Sequence, residues 1–98
     1  MKKYRVFLQG KNFLLNIDDK TEKIGFYTTR FVEANDELEA ENKSVELIRN
    51  DPQLRQLVLN EKDDPPTIYQ EDIEELSDFD GIKTPGAGYT FYPEDVDE

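Results

Sequence analysis

Between Glu71 and Asp80 six of ten side chains are carboxylates: Glu71, Asp72, Glu74, Glu75, Asp78 and Asp80. Hard cations take oxygen ligands, so such a run could bind Ca²⁺ without any histidine. Laid against the calcium-loop pattern D-x-[DN]-x-[DN]-G-x5-E, Asp78, Asp80 and Gly81 match three inner positions. Leu76 would then stand at the first position and Ala87 at the twelfth, so both anchoring ligands are missing and no metal site is assigned. Two carboxylates would also suffice for glycoside hydrolysis. A chain with 23 acids always supplies such pairs, however, and 98 residues leave little volume for a deep cleft. With no cysteine and no histidine, the chain has no thiolate nucleophile, no imidazole base and no sulfur- or imidazole-ligated metal. The expectation is a non-enzymatic protein with no catalytic residues and no cofactor.

The second group with chemical potential is Arg30, set in the apolar stretch Phe26–Val32. Its stem can pack on a sheet while its head reaches solvent or a carboxylate. Alternatively, flanked by Thr28, it contacts an anion on an otherwise exposed sheet face. Gly86-Ala-Gly88 resembles the opening of a phosphate-binding loop, but the third glycine of G-x-G-x-x-G would fall on Phe91, and no strand–loop–helix context surrounds it. It is read as a turn. Tyr89, Phe91 and Tyr92 could stack nucleic-acid bases, yet the charge around them opposes binding to a phosphate backbone. They are assigned to packing.

That charge is unevenly spread. Residues 1–55 carry ten basic and ten acidic side chains, whereas residues 56–98 carry thirteen acids against Lys62 and Lys83, so the whole net charge of −11 lies in the second half. Such a surface solubilises and self-repels. It also disfavours nucleic acid and anionic membranes, and suits a basic protein partner. No apolar run approaches the ~20 residues that span a bilayer, and Arg5, Gln9, Lys11 and Asn12 interrupt any signal-peptide core, so the expected location is cytoplasmic.

These groups must be positioned by the following elements. Lys3–Gln9 reads as a strand, Gly10-Lys-Asn12 as a turn and Phe13–Asp18 as its hairpin partner. Asp19–Glu22 is a polar reversal into a long third strand, Lys23–Ala34. In that third strand Phe26-Tyr27 and Phe31-Val32 break strict alternation, so either a bulge near Thr28 or Thr29 or burial of both faces is expected. Asp36 and Glu39 form a capping-box pattern opening a helix to Asn50. In this helix Glu39, Asn42, Lys43, Glu46, Arg49 and Asn50 make a polar arc, and Leu38, Ala40, Ser44, Val45, Leu47 and Ile48 fill the rest. Glu37 and Glu41 fall within the apolar half and are expected to fringe the sheet, paired with Arg5 or Arg30. Asp51-Pro52 opens a second short helix to Leu59, and Pro65-Pro66 closes a polar loop. Thr67-Ile-Tyr69 starts as a strand whose continuation to Leu76 is ambiguous, because Tyr69, Ile73 and Leu76 also have helical spacing. Pro85-Gly86 suits a type II turn, and Tyr89–Tyr92 is the last strand.

The succession of three strands, helix and strand, with the cadence Thr28-Thr-Arg-Phe-Val-Glu-Ala34 before Glu39-Ala-Glu41, resembles small α+β domains of the ferredoxin-like or split-barrel kind. It is also similar to the HicB-type antitoxin domain, a three-stranded meander followed by a helix. It departs from that family in having no Pro-Gly-Cys-like segment before the helix and no DNA-binding tail after it. Around Gly25–Ala34 and Gly88–Asp95 the chain resembles a small bacterial α+β family, a resemblance that implies no activity.

The expected fold is therefore α+β. Residues 1–93 form one domain with an antiparallel sheet and one main helix packed on one face, and residues 94–98 an acidic disordered tail. A sheet covered on one side leaves a face through which a homodimer can form. The expected function is a protein-interaction module of the antitoxin or immunity type, its acidic residues 71–80 meeting a basic partner. The alternative is a small-ligand or anion-binding domain with its pocket at Arg30 and Thr28.

Overall fold

Two long strands frame the protein. In the computed structural model, which describes residues 1–94, β1 (Lys2–Ile17) and β2 (Lys20–Ala34) pair antiparallel over almost their full lengths. They are joined at Asp18 and Asp19, both with positive φ (51° and 64°), as in the two-residue hairpin turns that match strand twist. Then come α1 (Glu37–Arg49), α2 (Pro52–Leu57), β3 (Thr67–Leu76) and β4 (Thr90–Pro93). The sheet order is β3-β1-β2-β4, every neighbouring pair antiparallel. The α+β class with the main helix on one sheet face holds. The three-stranded meander does not form, and with it goes the basis for the likeness to HicB-type domains.

Gly10-Lys-Asn12 is a bulge inside β1, where the register with β2 shifts between Gly10 and Phe13. The chain runs straight on because one inserted residue inverts the side-chain parity. Tyr4, Val6 and Leu8 face the core before the bulge, and Phe13 and Leu15 face it afterwards. Without the insertion, those last two would point outward. Gly10 is glycine for a packing reason, since a Cβ there would lie 2.3 Å from the Phe26 ring.

In β2 the alternation expected to fail is strict: Ile24, Phe26, Thr28, Arg30, Val32 and Ala34 are all buried on the helix-covered face. The register with β1 runs unbroken through Thr28 and Thr29, so no bulge lies there. What disguised the pattern is an aromatic outer face. Phe7, Tyr27 and Tyr92 form a ladder with ring centroids 5.5 Å apart at each step. Phe31 meets Phe79 edge-to-face at 6.2 Å, where the β3–β4 connection crosses that side. The Gln9 amide donates to the phenol oxygens of Tyr27 and Tyr92 (3.2 and 2.6 Å), which satisfies it beneath the ladder.

The Asp36 cap forms as expected, and Glu39 reaches back one residue beyond it. Asp36 accepts from the Glu39 N–H at 2.8 Å, and the Glu39 carboxylate accepts from the Asn35 N–H at 2.6 Å. Only a narrow stripe of α1 is buried, namely Ala40, Ser44 and Ile48. Small residues at two of these positions let the helix axis lie close to the sheet. Leu38 and Leu47, assigned to the apolar half, are 67% and 36% exposed. The short helix ends at Leu57, two residues earlier than expected. β3 is a strand throughout, with one register shift against β1 between Phe7 and Leu8.

Of the expected tail, Glu94 is tied down: its N–H donates to the Lys23 carbonyl and its carboxylate accepts from the Asn12 N–H. Residues 95–98 lie outside the described residues. Among the described residues no helix is long and apolar enough to cross a membrane.

Candidate functional site

Strand β2 places Arg30 on the helix-covered face, opposite Val6 of β1, where it is only 4% exposed. It is therefore neither a snorkelling surface arginine nor a residue on an open sheet face. Thr28, two residues earlier and on the same face, is also buried. Nη1 of Arg30 donates to the Thr28 hydroxyl, to the Thr29 carbonyl (2.9 Å) and, at 3.4 Å, to the Gly88 carbonyl. Thr28 in turn donates to the Gly88 carbonyl at 2.7 Å. The guanidinium carbon lies 5.2 Å from the centre of the Tyr89 ring, within cation–π range.

Among the described residues no carboxylate completes this set. The ion pairs found among the described residues join Arg5 to Asp72 and Glu74, and Arg49 to Glu46. Glu37 and Glu41, expected to pair with Arg5 or Arg30, pair with neither. Arg5 lies on the outer face across from β3, whose outward residues Asp72 and Glu74 reach it first.

The segment 85–88 builds one wall beside Arg30. It is pinned to the β2 edge by the Phe31 N–H, which donates to the Pro85 carbonyl at 2.8 Å. Gly86 and Gly88 adopt positive φ (96° and 88°), which turns the chain tightly around this edge. A side chain on Gly86 would press on the Thr29 carbonyl, with its Cβ only 3.2 Å away. The opposite wall is the last two turns of α1 and the start of α2. Between them runs an open groove of about 870 Å³, lined by Arg30 and Val32, by Lys43 and Leu47, by Pro52, and by Pro85 to Gly88.

Asp51 closes the end of the groove and has two tasks. One carboxylate oxygen caps α2 by accepting from the Gln53 N–H at 3.0 Å, and the other accepts from the Tyr89 hydroxyl at 2.6 Å. Burial, reinforced by this acidic acceptor, pushes the Tyr89 phenol well above its ordinary pKa. Lys43 Nζ donates to the Glu33 carbonyl at 2.8 Å, which anchors it at the rim.

The acidic run is not one cluster. Asp72 and Glu74 face outward and are held by Arg5, whereas Glu71 sits at the β3 irregularity. Glu75 is exposed near the end of β3, and beyond it Asp78 accepts from the Asp80 N–H within a turn. Among the described residues no three acids come together as a metal site would require. Of the aromatics near the end of the chain, Tyr89 and Phe91 pack against Phe26 on the core side, and Tyr92 joins the outer ladder.

Sequence reasoning named Arg30 and Thr28, which the fold brings together. It missed Lys43, Leu47, Pro85–Gly88 and Tyr89. The available signal was Pro-Gly-Ala-Gly followed by tyrosine: small residues let the backbone approach closely, and an aromatic follows to cover a buried charge. No family model, curated protein or solved structure matches the chain, so its function rests on this geometry.

Proposed function

We propose that the protein is a non-enzymatic binding module that holds a small anionic ligand in the groove at Arg30. One observation carries this reading: Arg30, a residue only 4% exposed, has no carboxylate partner among the described residues, although these are rich in acids. Removing a charge from water costs several kcal/mol even after relaxation, and a buried arginine kept only for packing is normally matched by an acid. Three neutral acceptors fix the direction of Arg30 without cancelling its charge, and the ligand supplies the counter-charge. Binding is favoured over catalysis because the chain offers no histidine or cysteine, and both oxygens of Asp51, the carboxylate closing the groove, are engaged.

Amide and arginine side-chain NMR during titration with simple anions tests the proposal. The Arg30 side chain and the amides of 86–88 should shift together and saturably. Shifts confined to exposed lysines would sink it.

A second reading is favoured by one topological fact: β3 is an edge strand, and Arg5 offsets only two of its acids, leaving Glu71 and Glu75 exposed. Together with Asp78 and Asp80 beyond the strand, that edge suits a basic protein partner. Charges on an edge also guard against unwanted strand pairing. Reversing Glu71, Glu75, Asp78 and Asp80 to lysine should abolish salt-sensitive capture of such a partner, and a partner retained regardless would remove this reading. The aromatic outer face, crossed only in part by the β3–β4 connection, is the surface a homodimer would use, and light scattering across a dilution series reads that directly.

A further inference from the structure

Resting on the reading of the groove as an anion site, we infer that its ligand is a monocarboxylate carried on an apolar body, rather than a phosphate or another dianion. Two sets of residues carry the inference. The first is the charge around the groove: Arg30 and Lys43 stand against Glu33, Asp51 and a Glu46 already paired with Arg49, so the lining has no excess of positive charge although its floor is cationic. A dianion would find only one of its charges matched. A single carboxylate needs only one fork of guanidinium donors, which arginine presents in matching planar geometry. Nη1 is committed to protein acceptors and the guanidinium also meets the Tyr89 hydroxyl, while no carboxylate is paired with Nε or Nη2 among the described residues.

The second set is apolar. Val32, Leu47, Pro52, Pro85 and Ala87 line the groove above the guanidinium, and Leu47 is 36% exposed on a helix with a polar arc available to it. A simple inorganic anion would leave these surfaces wet. An alkyl or aryl body attached to the carboxylate covers them, and about 870 Å³ lies within the size range of small-molecule sites.

The test uses the full chain with four probes: octanoate, octanol, acetate and inorganic phosphate. Binding is followed by calorimetry and by the NMR signals of Arg30 and residues 86–88. Octanoate should bind one-to-one and at least about tenfold more tightly than acetate, because burying even two methylenes is worth that factor, and more tightly than octanol, which offers the guanidinium no charge. Arg30→Gln should erase the preference for octanoate over octanol, and Leu47→Asn should weaken octanoate while leaving acetate unchanged. Circular dichroism checks that both variants fold; Leu47 lies on the partly exposed side of α1, so its variant keeps the test decisive if Arg30→Gln does not fold.

Phosphate binding as tightly as octanoate would overturn the monocarboxylate inference while leaving the anion groove standing. Equal affinity for octanoate and octanol would overturn it too, by showing that the charge is not read. If no probe moves the Arg30 and 86–88 signals, both the inference and the anion reading fall.

Discussion

The Tyr89 hydroxyl donates to the Asp51 carboxylate at 2.6 Å, joining the segment that leads into β4 to the junction between the two helices. Hydrogen bonds to charged acceptors are the stronger kind, and Asp51 is half-buried, so Tyr89→Phe should cost about 1–2 kcal/mol in urea denaturation. The bond also carries a pH signature. Burial first, and then Asp51, raise the Tyr89 pKa in the folded chain, whereas the unfolded phenol releases its proton near pH 10. Below that pH the contribution is complete and constant. Above it unfolding releases a proton, so stability falls as pH rises. Tyr4, also raised by burial, adds to the same slope. Tyr89→Phe should make the alkaline decline shallower without removing it, and an unchanged decline would rule out Tyr89 as its source.

Arg30→Met separates a functional arginine from a structural one. The substitution removes a buried charge that no carboxylate among the described residues offsets, at the cost of bonds to one hydroxyl and two carbonyls. Replacing buried charges with apolar groups of similar volume is often neutral or stabilising. The variant should unfold within about 1 kcal/mol of the parent, or at higher denaturant, while losing anion binding altogether. A loss above about 3 kcal/mol would mean that the fold itself depends on Arg30.

Two glycines on neighbouring strands should respond differently to alanine. At Gly10 the new methyl would lie 2.3 Å from the ring of Phe26, which is fully buried and has nowhere to go. At Gly25 it would meet the ring end of Tyr92, which is half-exposed and can swing outward at the cost of its bond from Gln9. Gly10→Ala should therefore cost about 3 kcal/mol or more and Gly25→Ala about half that, measured by thermal and chemical denaturation.

Ser44 is fully buried on the inner face of α1, and its hydroxyl has no hydrogen-bond partner among the described residues. An unsatisfied buried hydroxyl is a net cost. Ser44→Ala should leave stability unchanged or raise it by up to about 1 kcal/mol, whereas Ser44→Leu should lower it by about 1–3 kcal/mol because α1 lies too close to the sheet for a larger side chain. A marked loss in Ser44→Ala would point to a water-mediated partner for the hydroxyl.

What the sequence made legible was local. Asp36 with Glu39, and Asp51 with Pro52, announce helix starts because capping chemistry acts over three or four residues. Gly10-Lys-Asn12 was opaque because a hairpin turn and a bulge use the same residue types. The choice was made by partners distant in sequence: Glu94 accepts from the Asn12 N–H, and Asn60 bridges the Asn12 carbonyl and the Leu14 N–H. The β2 alternation was hidden for a related reason, since an outer face bearing Phe7, Tyr27, Phe31 and Tyr92 looks like core on composition alone. At the groove, Arg30 stood out as a charge in an apolar run. Its surroundings did not, because Lys43, Leu47 and Pro85–Gly88 reach it only through the packing of α1 and the path of the β3–β4 connection.

That path governs the order of assembly. The hairpin of β1 and β2 closes through two residues and α1 follows directly, so this part forms from near neighbours. The wall at 85–88, by contrast, must return across a loop of more than fifty residues to pair with Phe31, and closing long loops is slow. Until it docks, the groove lacks one of its two walls. Binding of an anion in the groove, as proposed, would thus report finished folding, and such a ligand added during refolding should speed no early step yet hold the chain in its last one.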